Sequence, residues 1–289
     1  MAQVKTLKTL LAKDCCHVMP CCHDGLSAKM IEQAGFPLTF MSGFAVSAAR
    51  LGLPDTGLIS YGEMLGQGMD ICSAVSVPVI GDGDTGYGNA LNVRRTVQGY
   101  ARAGFAAVMI EDQVSPKRCG HTRGKLVVSR QEACDRIRAA VDARQEGQDI
   151  LILARTDARA IHGLDEAIDR ANAFSDLGAD ILFVEAPRSV DEMQAVCTRA
   201  PGIHMANMIS GGKTPVLSPD ELHQIGFRLA AYPLALLSAA MQAMADALAD
   251  LKTGVYPENI MDFSRVRSQV GFDAYYRMEK RYETSERGE

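Results

Sequence analysis

The chain has 289 residues, 47% of them apolar, and a formal net charge of −5. That length is too great for one small domain and normal for one α/β barrel, and the apolar share supplies a large core. The acidic balance, with no basic run beyond Lys117-Arg118, argues against a nucleic-acid footprint. No apolar leader follows Lys5 and Lys8. The longest apolar tract, Pro233–Leu251, is interrupted by Gln242, Asp246 and Asp250, so it reads as a buried helix and no membrane partner is expected. Eight cysteines in such a chain read as free thiols in a reducing, cytoplasmic setting.

In chain order, eight short apolar or β-branched runs read as strands: Cys16–Cys21, Pro37–Gly43, Val77–Asp82, Ala106–Asp112, Ile150–Asp157, Ile181–Ala186, Ile203–Met208 and Phe227–Pro233. Helical signals lie between them. Val93, Val97, Tyr100 and Ala101 recur at helix spacing. Ser129 with Glu132, Ser189 with Glu192 and Ser218 with Glu221 match capping boxes, and Pro219 suits a first helical position. "AGF" at 34–36 and 103–105, "LGA" at 177–179 and "IGF" at 225–227 each place Gly after a helix and before a strand. Eight helix–Gly–strand units favour an α/β fold of the (β/α)8 TIM-barrel type over an open doubly wound sheet. No linker divides the chain, so 1–289 reads as one barrel domain. Residues from about 255 onward are extra to it, a C-terminal helical arm and tail suited to packing on another subunit.

A barrel carries its active site at the C-terminal ends of the strands. Read in order, those ends carry Ser42-Gly43, Asp82 with Asp84, Glu111-Asp112, Arg155 with Asp157, then Glu185, Asn207 and Tyr232. "GDGDTGYG" (81–88) satisfies the dinucleotide fingerprint G-x-G-x-x-G. Asp82 and Asp84 would, however, press carboxylates against a pyrophosphate. Alternate carboxylates at a strand end suit a hard cation, Mg2+ or Mn2+, that binds one or two directly and keeps several waters. Asp84, Glu111 and Asp55 are placed to hold those waters. "CCHVMPCCH" (15–23) offers Zn2+ or Cu+ ligands, but along a strand adjacent cysteines point to opposite faces, so buried packing is the preferred reading. "SPKRCGHTRGK" (115–125) reads as a mobile basic loop. Lys117, Arg118 and His121 should lower the pKa of Cys119, which is either an exposed thiol, half of a disulfide, or an acid or nucleophile closing over an anion.

The stretches "SGFAVSAARLGLPDTG", "GDGDTGYGNALNVRRTV", "EDQVSPKRCGH", "ARTDA", "FVEAP" and "NMISGGKTP" together resemble the isocitrate lyase/phosphoenolpyruvate mutase superfamily along essentially the whole chain. The K-[KR]-C-G-H loop resembles its carbon–carbon lyase branch, since the phosphonate mutases lack the cysteine. The resemblance implies Mg2+-dependent retro-aldol (Claisen) cleavage of a 2-hydroxy dicarboxylate in a homotetramer, a dimer of helix-swapped dimers. It implies Asp82 as direct metal ligand, with Asp55, Asp84 and Glu111 around the metal waters. Ser42 and the Gly43 backbone would bind the α-carboxylate. Arg155 and Glu185 would orient the hydroxyl and stabilise its alkoxide. Asn207, Gly120 and His121 would contact the distal carboxylate. Cys119 would protonate the enediolate, with Lys117, Arg118 and His121 as nearby cations.

Three departures shape the substrate expectation. Phe40 stands where methylisocitrate lyases carry Tyr, which leaves Glu185 as the base, and Phe44 stands where they carry Gly. Ala158 stands where fungal oxaloacetate hydrolases carry Ser. The substrate implied first is 2,3-dimethylmalate, giving propionate and pyruvate. Methylisocitrate, a tricarboxylate, and hydrolysis of oxaloacetate or a 2-alkylmalate come after it. The competing reading of another class is a non-enzymatic metal-binding or redox-sensing barrel built on Cys15, Cys16, Cys21 and Cys22.

Overall fold

The structure, a computed structural model, describes residues 2–120 and 124–282. Helix α1 (Ala2–Leu11) precedes strand β1 (His17–Cys22), and α2 (Gly25–Gln33) leads to β2 (Thr39–Met41). A short α3 (Gly43–Val46), a π-helical turn at Ser47–Leu51 and α4 (Tyr61–Ala74) lead to β3 (Val79–Asp82). Then come α5 (Ala90–Ala103), β4 (Ala107–Glu111), α6 (Arg130–Gln145), β5 (Leu151–Thr156), α7 (Arg159–His162) and α8 (Leu164–Asp176). The barrel finishes with β6 (Ile181–Val184), α9 (Val190–Arg199), β7 (His204–Asn207), α10 (Pro219–Ile225) and β8 (Phe227–Tyr232). Helices α11 (Ala235–Lys252), α12 (Phe263–Val270) and α13 (Phe272–Arg281) follow. All eight strands pair in parallel, each with the next, and β1 closes on β8. The expected (β/α)8 barrel with additional C-terminal helices is what forms.

Period-2 alternation sorts the strand side chains into two layers. Inside the barrel lie Met19, Cys21, Phe40, Ile80, Met109, Leu153, Phe183, Met205 and Leu229, and α1 contributes Val4, Leu7, Leu10 and Leu11 to the same cluster. Cys22, Met41, Val79, Val108, Ile110 and Ile152 face outward onto Val93, Val97 and Tyr100 of α5 and Ile137 and Val141 of α6. Cys21 and Cys22 therefore belong to different layers. All eight cysteines are free thiols. Strand β1 is displaced by one residue from its expected span. Tyr232 also falls on the outer layer, packed near Ala206 and Ala230, while Ala231 turns inward. The strand end at Tyr232 thus contributes its neighbours instead.

The helix punctuation is partly as expected. Gly35, Gly104, Gly178 and Gly226 all have positive φ, from 86° to 120°. Of the three expected capping boxes only Ser218–Glu221 is complete. Ser129 and Ser189 each accept a backbone N–H three residues on, but their glutamates are engaged elsewhere. Glu132 accepts from Arg136 at 2.7 Å, and Glu192 binds the Arg159 guanidinium and the Arg188 N–H. An arginine within reach outcompetes a backbone amide for a carboxylate. The chain groups into two compact units, 1–237 and 238–289. The barrel lies in the first. In the second, Asp262 caps α12, Gly271 (φ 102°) separates α12 from α13, and Arg267 lies over the rings of Phe263, Phe272 and Tyr276. Among the described residues no helix is long and apolar enough to cross a membrane.

Candidate active site

The cavity at the C-terminal end of the barrel is lined by Ser42, Asp55, Asp82, Lys117, Arg118, Cys119, Gly120, Arg155, Glu185 and Asn207. Residues from five strand ends, the loop carrying Asp55 and the 115–120 segment thus converge on one space. Its apolar wall includes Phe40, Phe44, Met109, Phe183, Met205 and Ile209. Ala158 is fully buried in a separate cluster with Ile168 and Val196, outside this lining. His121 lies outside the described residues.

Asp82, the last residue of β3, is oriented by two backbone amides. Gly43 N–H donates to its Oδ2 at 3.1 Å and Asp84 N–H to its Oδ1 at 3.0 Å. Gly43 permits that approach: a Cβ there would lie 2.5 Å from Asp82 Oδ2. Ser42 caps α3, accepting from Ala45 N–H at 3.3 Å, so its hydroxyl is held at the cavity edge. Asp84 has φ 49°, a left-handed conformation rare outside glycine and a form of strain that collects at functional sites.

Lys117 enters this acidic group from the loop. Its Nζ lies 2.6 Å from Asp55 Oδ1 and 2.9 Å from Asp84 Oδ1, with all three side chains buried. Asp82 and Glu111 also act on the same ammonium. Burial alone would lower the Lys117 pKa, but Asp84 and Asp55 outweigh it and hold the ammonium well above the usual lysine value. Burial, with Asp82 and Asp55 alongside, pushes Asp84 up to about 6 even against Lys117. Glu111 is likewise raised well above the carboxylate range by burial. Its Oε1 is buried with no hydrogen-bond partner among the described residues. Four carboxylates thus lie around Lys117, with Glu111 also 3.3 Å from Arg155, so carboxylates outnumber cations and the group retains a demand for positive charge.

That donor set fits a hard divalent cation. Among the described residues no three His, Cys, Asp or Glu side chains are close enough together to ligate one ion. A Mg2+ that takes one or two carboxylates and keeps its waters does not need such a cluster. For the cysteines of 15–23, the placing of Cys21 and Cys22 in separate layers supports buried packing. The dinucleotide reading fails. Cβ atoms at Gly81, Gly83 and Gly86 would run into Phe105 and Tyr100, Met109 O, and Val93, so these backbones face protein instead of open space.

The second ionic group is centred on Arg155. Its Nε lies 2.8 Å from Asp157 Oδ2 and 3.3 Å from Glu111 Oε2, and its Nη2 lies 3.1 Å from Glu185 Oε2. Asn207 Nδ2 donates to the same Glu185 oxygen at 3.3 Å. Lys125 Nζ reaches Asp157 Oδ1 at 2.6 Å. Burial would raise Asp157, but Arg155 and Lys125 overcome it and hold the carboxylate at about 2. Asp112, buried outside the cavity, accepts from Asp157 N–H, Thr156 Oγ1 and Arg170. Gly120 seats the loop against this group, since a Cβ there would meet Arg155 Nη2 and Glu185 Oε2 at 2.6 Å. Arg118 exchanges two backbone hydrogen bonds with the Gln113 side chain, and Cys119 follows it into the cavity.

The structure therefore brings Ser42, Gly43, Asp55, Asp82, Asp84, Glu111, Lys117, Cys119, Gly120, Arg155, Glu185 and Asn207 together at one end of the barrel. It assigns Lys117 a different neighbour, the Asp55–Asp84 pair. Lys125 was missed, because a lysine after a glycine-rich loop carries no mark of its buried partner.

A family model described as phosphoenolpyruvate phosphomutase matches residues 7–252. The 2,3-dimethylmalate lyase of Eubacterium barkeri is 42% identical over 282 residues, covering 96% of this chain and 97% of that protein. The chloroplastic carboxyvinyl-carboxyphosphonate phosphorylmutase of Arabidopsis thaliana is 43% identical, covering 92% of this chain and 80% of that protein. A solved phosphonopyruvate hydrolase, in complex with oxalate and Mg2+, superposes with a TM-score of 0.86 at 28% identity, covering 98% of this chain and 99% of that one.

Proposed function

The chain belongs to the phosphoenolpyruvate phosphomutase family, and we propose that within it the protein is a Mg2+-dependent carbon–carbon lyase. Its substrate is a 2-hydroxy dicarboxylate, first 2,3-dimethylmalate, cleaved to pyruvate and propionate. The observation that carries this reading is the presence of Cys119 in the same cavity as the Asp82 group and the Arg155–Glu185 pair. A phosphoryl-transfer reading, prompted by the phosphorylmutase relative, assigns that thiol no role.

Asp82 would hold the metal directly, and Asp55, Asp84 and Glu111 would hold its waters; Mn2+ would serve in its place. When bound, the ion polarises the hydroxyl and carboxylate of the half that becomes the ketoacid. Ser42 and the Gly43 backbone bind the α-carboxylate. Glu185 takes the hydroxyl proton, and the Arg155 guanidinium beside it stabilises the alkoxide. The C2–C3 bond then breaks, leaving its electron pair on C3 as an enediolate. Cys119 protonates C3, so one proton is taken up and one delivered per turnover. Asn207, Gly120 and His121 contact the distal carboxylate. Lys117 offsets part of the negative charge of the carboxylate group and ties down the loop that carries Cys119.

Phe40, Phe44, Met205 and Ile209 present apolar surface to the alkyl groups, which favours two carboxylates over three. The test compares kcat/KM for 2,3-dimethylmalate, 2-methylisocitrate and oxaloacetate with Mg2+. A clear preference for 2,3-dimethylmalate is expected; a higher value for either of the others would replace the substrate.

The protein works as a cytoplasmic homotetramer, a dimer of helix-swapped dimers. Met241, Met244, Leu248 and Leu251 support this: they recur on one face of α11 and are each more than half exposed. Light scattering showing a monomer at working concentration would remove this part.

A further inference from the structure

Helix α5 carries one side chain that reaches the acidic group without entering the cavity. Tyr100 is fully buried, and its Oη donates to the main-chain carbonyl of Asp82 at 2.7 Å. Its ring stacks on Phe105, with centroids 4.7 Å apart and planes 23° from parallel. Both rings press on β3 at Gly81, where a Cβ would lie 2.7 Å from each. A missing side chain one residue before Asp82 thus lets two aromatic rings pack under the strand end. A phenylalanine would fill the same space, so packing alone does not explain a phenol there. A buried tyrosine hydroxyl needs a polar partner, and here that partner belongs to Asp82.

The rest of Asp82 is fixed in the same manner. Its two carboxylate oxygens accept from Gly43 and Asp84 amides, so with Tyr100 three donors hold this residue from three sides. Loss of a group that orients a ligating residue typically lowers metal affinity about 10- to 100-fold. From this geometry we infer that Tyr100 is a positioning residue for the metal: its hydroxyl fixes the β3 terminus so that the Asp82 carboxylate is preset for a divalent cation. The inference rests on the proposed metal role of Asp82. Tyr100 touches neither substrate nor the reacting atoms.

The test is direct Mn2+ binding, read by electron paramagnetic resonance and calorimetry, so that no turnover is needed. Tyr100→Phe removes the hydroxyl and keeps the ring. Its Mn2+ affinity should fall by about tenfold. Val97→Ala, buried on the same helix face, opens a cavity without touching Asp82 and should keep wild-type affinity. Wild-type Mn2+ binding by Tyr100→Phe would overturn the inference, and so would an equal loss in Val97→Ala, which would trace the effect to general loosening of α5. Asp82→Asn separates the two levels. If it loses Mn2+ while Tyr100→Phe does not, only the positioning role fails; if it binds Mn2+ like wild type, the metal role of Asp82 fails and the inference with it.

Discussion

Around Lys117 stand four carboxylates, of which Glu111 also reaches Arg155; around Asp157 stand two cations, of which Arg155 also pairs with Glu185. The two groups sit at the same end of one barrel, and both are buried. The first is under-neutralised, and its proton affinities are displaced upward, at Asp84 and Glu111. The second sets Arg155 and Lys125 against Asp157 and Glu185, and its central carboxylate is displaced downward. Burying charge is costly unless it is paired. A protein that leaves one group short of positive charge has kept a place for a cation, whereas a group that closes on itself has fixed a geometry, here that of Arg155 and Glu185. The 115–125 segment links them, with Lys117 in one group and Lys125 in the other.

The largest effect should come from the thiol between the groups. Cys119→Ser should lower kcat by about a thousandfold, as loss of a positioned general acid does. Mg2+ affinity should stay near wild type, which calorimetry checks. Lys125→Met breaks the closed group by leaving Asp157 with Arg155 alone. It should cost about 3 kcal/mol of stability in urea unfolding, the scale for removing one partner of a buried pair, with Mg2+ affinity unchanged. Asp84→Asn acts on the open group in the opposite sense. Mg2+ affinity should weaken by roughly tenfold, while thermal stability is unchanged or raised, since one of several like charges is gone.

The smallest effect is in the acid limb of stability. The Asp157 carboxylate has a folded pKa of about 2, below its ordinary value. Its contribution is therefore complete above about pH 4, the unfolded value, and is lost as pH falls toward 2. Asp157→Asn should flatten the pH dependence of the urea midpoint across that window. An unchanged slope would mean that the carboxylate carries no such linkage.

Much of this was legible beforehand because it rests on short-range rules. Gly35, Gly104, Gly178 and Gly226 mark helix-to-strand turns through their backbone freedom, and alternation separates Cys21 from Cys22. The strand-end polar residues followed from the barrel itself. Partners distant in the chain were not legible. Nothing local in Ser189 reveals that Arg159 will claim Glu192, whereas the competitor at Ser129, Arg136, stands only four residues from Glu132. Nothing near Lys125 announces Asp157, and Tyr100 reads as a core ring until its hydroxyl is seen on Asp82. Tyr232 ends its strand as read, but on the outer layer, since a one-residue step along a strand reverses the face.

The central claim is that the open acidic group and the loop thiol cooperate in one bond cleavage. It is tested most directly by following pyruvate and propionate from 2,3-dimethylmalate with Mg2+, with excess chelator, and in Cys119→Ser. The account predicts equal amounts of both products from the wild-type enzyme with Mg2+ and almost none in the other two cases. Product formation that persists under chelation, or at the wild-type rate without the thiol, would contradict it.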